Sequence, residues 1–418
     1  MRFLHISADD SGGAGRATYN LHNHFKTYGH DSKVVVLNRT IYDKDVLQYS
    51  PILLQKMYYK LFNLIYKKKT DGDYYFLNVC ENTLCYTSVK ELIPDLYTPD
   101  AIIIHWVSGF INSKNIYELS NLSNKPILWY GLDMAPLTGG CHYAWDCEGY
   151  LHDCGHCPAL FSSKKKDLSY YNLKQKKKFL SKTNIKYIAV NSYIEEQAKK
   201  SALFRDKPIK KIFLAINPNV YKPLNKFNVR DILEIQRDKF VILIGSFSIG
   251  EKRKGFEYLV EAFNIFSNLL AAEQREKVMI LIMGYDNNNY SSLIPFEKKR
   301  FGYVKDDFTM TMLYNAANIF VSSSIEDTGP MMINESVMCG TPVVSFKMGV
   351  AIDLVKTGIT GYLANLKDSR DLANGIKYMF ELEESRYRLL SDRCRDLAIQ
   401  FLHPEIQVNS FIDILNDK

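Results

Sequence analysis

Hydrophobic positions along the chain fall into short unbroken runs, separated by polar turns and by stretches with a four-residue apolar spacing. The run Phe3-Leu4-His5-Ile6 is followed by the turn-rich segment Ala8 to Gly13, then by Ala17, Leu21 and Phe25 at helical spacing. Lys33-Val34-Val35-Val36-Leu37 completes a βαβ opening, which implies a parallel sheet and a right-handed crossover. Further strands are predicted at Ala101–His105, Pro126–Tyr130 and Tyr187–Val190, the last running through Asn191-Ser192 into a helix over Tyr193–Leu203. The alternation then restarts. Phe240–Gly245 and Val278–Gly284 read as buried strands around a helix over Gly255–Leu270, and Ile319–Val321 and Pro342–Ser345 flank a helix over Met331–Cys339. Continuous apolar strands bounded by glycine belong to a sheet covered on both faces. The fold class is therefore α/β: two Rossmann-like, doubly wound domains facing a cleft. The expected division is residues 1–223 and 224–395, joined near Asn217 to Pro223, with a helix over 396–418 packing back on the first domain.

Composition narrows the class. With 418 residues, 46% hydrophobic and 24% charged, the chain reads as an ordinary globular protein of two or three domains. No stretch approaches the roughly 18 to 20 apolar residues of a membrane span, and Met1–Ser7 carries no secretory leader pattern. A cytoplasmic protein is expected. The formal charge of +7 hides an asymmetry: residues 151–230 hold 18 Lys and Arg against 5 Asp and Glu, a local +13 that leaves −6 elsewhere. Such a block attracts anions. No recognition motif accompanies it, so nucleic acid is not the expected partner.

Ligands of doubly wound sheets bind at the carboxyl ends of strands, where loops enter helix amino termini. Four segments fall there. Gly12-Gly13-Ala14-Gly15-Arg16 allows close backbone approach but lacks the spacing of a dinucleotide fingerprint. Lys252-Arg253-Lys254-Gly255 sets three cations ahead of a helix, after the strand that ends at Gly245. It reads as a diphosphate clamp or as a solvated charge run. In Ser322 to Glu335, Asp327 and Glu335 stand in a loop and just inside a helix, where both acids accept hydrogen bonds from hydroxyls or act as cap and surface acid. The fourth segment joins Leu132-Asp133-Met134 to Thr138-Gly139-Gly140-Cys141-His142-Tyr143. From there Cys141, Cys147, Cys154 and Cys157 are spaced x5, x6, x2. Four thiolates at that density close a tetrahedral, structural zinc site; the competing reading is a loop ordered by reduced or paired cysteines.

The stretch from Ser322 to Phe346 resembles the donor-site signature of glycosyltransferase family 4. Asp327, seven residues and Glu335 are followed by Cys339-Gly340-Thr341-Pro342-Val343-Val344. Phe301-Gly302-Tyr303-Val304 is similar to the preceding nucleotide-base segment, Gly358–Leu363 to the following one, and Gly12-Gly13 to the amino-terminal glycine loop. Residues 138–158 are similar to a cysteine-containing insertion in one branch of the family. The resemblance implies a GT-B fold and a retaining transferase with a UDP- or GDP-linked sugar donor and no catalytic metal. It implies that Glu335 holds the ribose, that Asp327, Thr328, Gly329, Pro330, Met331 and Met332 contact the donor, and that Arg253 and Lys254 hold the diphosphate. Gly12, Gly13, Gly245, Tyr303 and Val304 join the donor set, and Asp133 the catalytic set. Three departures stand out: Asp327 where the family usually has Glu, Leu132 before Asp133 where it has His, and Val350 after Gly349 where it has Gly. His105, at the end of a strand and before Trp106, is a candidate substitute for the missing histidine, the competing reading being a structural strand histidine.

The expected acceptor is a glycan or lipid-linked oligosaccharide of surface polysaccharide synthesis. The amphipathic run Leu53–Lys69 and the basic run 164–178 suit an anionic membrane surface, although Leu53–Lys69 fits a helix packed on its own domain equally well. Two other readings are a degenerate protein that binds nucleotide or lipid without transfer, and a sugar-nucleotide epimerase.

Overall fold

Strands built from consecutive Val, Ile and Leu need cover on both faces, and both halves of the chain meet that need with an all-parallel sheet. The structure is a computed structural model describing residues 1–66, 70–77, 81, 87–286 and 289–416. It divides into two units, Met1–Phe213 with Gln407–Lys418, and Leu214–Ile406.

The first unit runs β1 (Arg2–Asp9), α1 (Gly12–Thr27), β2 (Asp31–Asn38), β3 (Val46–Gln48), α2 (Leu53–Tyr66), β4 (Ala101–Ile104), α3 (Ser113–Ser123) and β5 (Ile127–Gly131). It continues through α4 (Leu168–Leu180), β6 (Ile185–Ala189), α5 (Ser192–Lys200) and β7 (Ile209–Lys211). Its seven strands lie in the order β3-β2-β1-β4-β5-β6-β7. The order reverses between β1 and β4, the position where such sheets open a crevice at their carboxyl edge.

Unit two runs α6 (Lys226–Ile232), β8 (Phe240–Ser248), α7 (Phe256–Asn268), α8 (Ala272–Glu276), β9 (Val278–Tyr285), β10 (Glu297–Gly302), α9 (Asp307–Ala316) and β11 (Ile319–Ser322). Then come α10 (Met331–Met338), β12 (Val343–Phe346), α11 (Ala351–Leu354), β13 (Gly361–Ala364), α12 (Ser369–Phe380) and α13 (Glu384–Leu402), before α14 (Pro404–Asn416) starts in this unit and continues in the first. Its sheet order is β10-β9-β8-β11-β12-β13, with the switch between β8 and β11. β10 has the sequence EKKRFG and pairs with β9 alone, so it carries the charge of an edge strand and no apolar run.

The chain changes unit after β7, ahead of the Asn217–Pro223 linker. Ile216 N–H already donates to Leu402 O at 2.9 Å within the second unit. Residue 396 lies inside α13, and the return to the first unit comes in α14 at Gln407. There the Gln407 amide donates to Tyr130 Oη at 2.9 Å and to Phe213 O at 3.0 Å.

Histidines, unusually, fill part of the first core. His5 on β1, His22 on α1 and His105 after β4 are buried, and His5 Nδ1 lies 2.9 Å from His105 Nε2. Burial pushes His105 down to about 3 and, with Lys26 nearby, His22 down to about 4. Burial first, then the neighbouring His105 and His22, depress His5 as well. All three are neutral in the fold, so below the ordinary histidine value the unfolded chain takes up protons that the folded chain refuses. Stability is expected to be full above about pH 6.5 and to fall with acidification toward pH 4, each histidine adding up to about 1.4 kcal/mol per pH unit. Urea denaturation at pH 7, 6 and 5 measures this. The His105→Leu variant should show a shallower pH dependence, and an unchanged slope would refute the assignment.

Candidate functional site

Two loops of the second unit deliver charge to one point. The loop after β8 turns through Lys252–Lys254 into Gly255, whose φ of +63° is left-handed. A Cβ at Gly255 would stand 2.1 Å from Ser323 O, so only glycine lets this turn close against the loop after β11. The two loops are tied by backbone bonds: Ile325 N–H and Glu326 N–H donate to Arg253 O at 2.8 and 3.2 Å. The Ser323 hydroxyl adds a bond to Lys254 O at 2.9 Å.

That backbone register brings Asp327 beneath both cations. Arg253 Nη1 and Lys254 Nζ donate to Asp327 Oδ2 at 2.9 and 2.5 Å, while Gly329 N–H donates to Oδ1 at 3.1 Å. Arg253 also forks onto Glu251 through Nε and Nη2, at 2.6 and 3.1 Å. Burial pushes Asp327 up, and the adjacent Lys254 and Arg253 more than reverse it, leaving the carboxyl below its ordinary value. The site thus holds an ionised acid between two cations, at the carboxyl edge of β8 and β11, beside a small cavity lined by Gly245, Ser246, Lys254 and Ser322–Ser324. Gly245 is packed so closely that a Cβ would meet Met283 Cβ and Met332 Cε at 3.0 Å.

Glu335 sits in α10 and is 3% exposed, and the Tyr314 hydroxyl donates to its Oε2 at 2.7 Å. Pro330 begins α10 without a side-chain cap, so the helix entrance keeps its partial positive charge. Thr328 is buried, and Gly329, Pro330, Met331 and Met332 are half-buried along that entrance. The later part of the motif is a helix stop. Gly340, at φ +75°, lets Thr341 N–H reach back to Ser336 O at 2.9 Å. Thr341 Oγ1 donates to Tyr314 O at 2.8 Å, which places the tyrosine over Glu335. Tyr303 forms a cluster with Phe247 and Tyr285, ring centroids 5.2–5.4 Å apart, and all three are more than a third exposed. Val304 follows in the same loop. Phe247 and Tyr285 carry no motif signal.

The first unit assembles a separate group. Asp133 Oδ2 pairs with His142 Nδ1 at 2.6 Å, and Asp133 Oδ1 accepts from Ala135 N–H at 2.8 Å. On the far side of the ring, Ser108 Oγ lies 2.9 Å from His142 Nε2, while the Trp106 indole nitrogen is 3.1 Å from the same Nδ1 that faces Asp133. Sequence reasoning missed His142; its place nine residues after Asp133 gives no periodic signal. His105 does not take the role of the absent histidine, because it is buried against His5 and Tyr130. Trp106 and Ser108 also wall a cavity of about 600 Å³ at the carboxyl edge, lined further by Asn38, Tyr49, Lys56, Lys60 and Phe110. Gly12 and Gly13 open α1 in this unit.

Cys141, Cys147, Cys154 and Cys157 carry free thiols and line a single small pocket. Among the described residues, the group of metal-binding side chains with all ligand atoms within 4.8 Å of one another is His22, Asp43 and Asp45, so the four sulfurs are spread more widely than the expected ligand set. At that tighter group the charge is already answered by Lys26, 2.5 Å from Asp45. Not every cation of the basic block faces solvent. Lys176 is buried, bonded to Ala135 O and Thr138 O at 2.7 and 2.9 Å, with Glu81 at 3.9 Å. Cys80, Cys85 and Lys67–Lys69 lie outside the described residues.

Residues 225–391, which contain the whole second-unit site, match the family described as glycosyl transferases group 1. The chain is 22% identical over 229 residues, 54% of its length, to an uncharacterized 41.2 kDa protein in the cps region of Klebsiella pneumoniae. It is 24% identical over 238 residues, again 54%, to an uncharacterized glycosyltransferase of Methanocaldococcus jannaschii. The match spans 60% and 57% of those two relatives. Anabaena Alr3699/HepE, solved in complex with UDP-glucose, has the same fold over 100% of both chains, with a TM-score of 0.68 at 16% identity.

Removing the acid from the cluster leaves Arg253 and Lys254 facing one another, each only about one-sixth exposed. Asp327→Asn is expected to lower folding stability by about 1–3 kcal/mol, read by chemical denaturation. A variant as stable as the parent would mean that the acid is not what offsets the two cations.

Proposed function

We propose that the protein is a glycosyltransferase that moves a sugar from a nucleotide-sugar donor to a glycan or lipid-linked oligosaccharide. The observation that carries this is the convergence of Arg253, Lys254 and Asp327 at the carboxyl edge of β8 and β11, with Glu335 in the helix that follows, inside the matched family segment. Two adjacent cations held by a buried acid suit a diphosphate, whose developing negative charge they stabilise as the sugar leaves. Glu335 accepts from ribose hydroxyls, with Tyr314 fixing its carboxylate. The Phe247–Tyr285–Tyr303 rings offer a face for a base. UDP is the favoured nucleotide, since the structural neighbour HepE holds UDP-glucose. Transfer proceeds with retention, the leaving diphosphate being neutralised by side chains instead of a metal.

The acceptor fits the first-unit cavity. Tyr49, Trp106 and Phe110 give flat apolar faces for sugar rings, and Lys56 and Lys60 give positive charge. The same α2 exposes Leu53, Met57, Leu61 and Leu64 at three- and four-residue spacing. An apolar stripe beside lysines suits peripheral docking on an anionic membrane, where a lipid-linked acceptor would reside. The relative encoded in a cps region supports a polysaccharide product.

Turnover of a panel of UDP- and GDP-sugars tests the reading. Arg253→Ala and Glu335→Ala are expected to lower kcat/KM by about a hundredfold or more, with circular dichroism confirming an intact fold. Failure of the parent protein to bind or turn over every donor would overturn it. For the membrane contact, sedimentation with phosphatidylglycerol vesicles should carry down the parent chain, and the Met57→Glu, Leu61→Glu double variant should remain in the supernatant. Equal partitioning of the two would remove α2 from the proposal.

A further inference from the structure

Where α1 meets the turn between β2 and β3, His22 Nε2 and the carboxylates of Asp43 and Asp45 fall within 4.8 Å of one another. His22 is the informative member. Its side chain is buried, yet Nε2 has no hydrogen-bond partner among the described residues and lies 3.9 Å from Asp43 Oδ2. A polar atom left orphaned inside a protein is costly and calls for a partner. The other ring nitrogen, Nδ1, is 2.8 Å from Ser32 Oγ on β2. With the proton on Nδ1 and shared with that hydroxyl, Nε2 turns a lone pair toward the acids. This is the posture of a histidine metal ligand held by an outer partner.

The two acids are fixed as well. Asp43 Oδ1 accepts from Asp45 N–H at 2.9 Å, and Oδ2 accepts from the Tyr19 hydroxyl at 3.3 Å. Arg39 donates to Ile41 O and Asp43 O, both at 2.9 Å, so it orders the turn through backbone oxygens. Lys26, one turn after His22 on α1, sets its Nζ 2.5 Å from Asp45 Oδ2 and 3.9 Å from Asp43 Oδ1. The group is thus already arranged around a cation. Lys26 is partly exposed, on a long side chain that reaches solvent by rotation. Two carboxylates against one ammonium keep a negative excess, and the ammonium leaves His22 Nε2 without a bond. A divalent ion answers both.

We propose that His22, Asp43 and Asp45 bind one divalent metal ion in place of the Lys26 ammonium, fastening α1 to the turn ahead of β3. One imidazole nitrogen and two carboxylates form a donor set suited to Mn²⁺ or Zn²⁺, with water completing the coordination. The same turn holds Asp10, whose carboxylate accepts from Thr40 N–H and Ile41 N–H at 2.8–2.9 Å. The ion therefore also steadies the approach to Gly12 and Gly13. No residue of the second-unit site takes part, so the proposal stands or falls independently of sugar transfer.

Mn²⁺ is the probe, because soft thiols retain it poorly and the free ion is counted by electron paramagnetic resonance. The full chain, freed of metal with a chelator, is expected to bind about one Mn²⁺ per molecule. Asp45→Asn and Ser32→Ala should each weaken binding by about tenfold or more. Lys26→Met should tighten it by about tenfold, since the competing cation is gone. Asp45 and Lys26 are partly exposed, so these two variants decide if Ser32→Ala does not fold; circular dichroism checks all three. No Mn²⁺ binding below about 1 mM, binding that Asp45→Asn leaves unchanged, or a Lys26→Met variant that binds no more tightly than the parent would overturn the proposal.

Discussion

Burying Asp327 is the constraint on which the second unit is organised. An isolated carboxylate in a protein interior is costly unless it is paired and fully hydrogen-bonded. Here the partners are Arg253, Lys254 and the Gly329 N–H. To supply them, the loop after β8 must fold tightly over the loop after β11. The backbone bonds to Arg253 O and the left-handed Gly255 are the means. Both loops are thereby set before any ligand arrives, which is the preorganisation that stabilising a transferring charge demands. In the proposed function, a phosphate group entering the site meets cations already oriented by an acid.

Glu335 depends on a different device, the end of its own helix. Thr341 bonds back to Ser336 and on to Tyr314, and Tyr314 bonds to Glu335. A stop signal at the end of α10 thus controls a carboxylate in its middle. This explains why a motif with two acids carries a Cys-Gly-Thr-Pro tail that never reaches the cavity.

The first unit uses imidazoles where the second uses Arg and Lys. His5 and His105 pair inside the sheet, while His142 pairs with Asp133 at its edge, next to Trp106 and Ser108 on the wall of the large cavity. One unit therefore suits a highly charged ligand, and the other offers a larger, aromatic and partly basic space. The proposed transfer uses that contrast, with a diphosphate donor in the one and an acceptor of sugar rings in the other.

Much of the architecture was readable from apolar runs, because strands covered on both faces leave an unbroken hydrophobic signal. The strands at β1, β2, β4, β5, β6, β8, β9, β11 and β12 and the helix entering Glu335 are all of this kind. Short β3 and β7 and the charged edge strand β10 were not, since an edge needs little apolar burial. Asp327, Glu335, Arg253 and Lys254 could be marked from motif and position, because a loop at a strand's carboxyl end is local in sequence. Their mutual contact could not: Arg253 and Asp327 are 74 residues apart. The same holds for Lys176, counted in a basic run and found buried under Ala135 and Thr138, and for His142, which only chain folding brings to Asp133 and Ser108. The linear chain determined which residue types stand at which strand ends, since periodicity and loop position are short-range properties. Tertiary structure alone decided which charges are paired and which are buried, because both depend on neighbours that are distant along the chain.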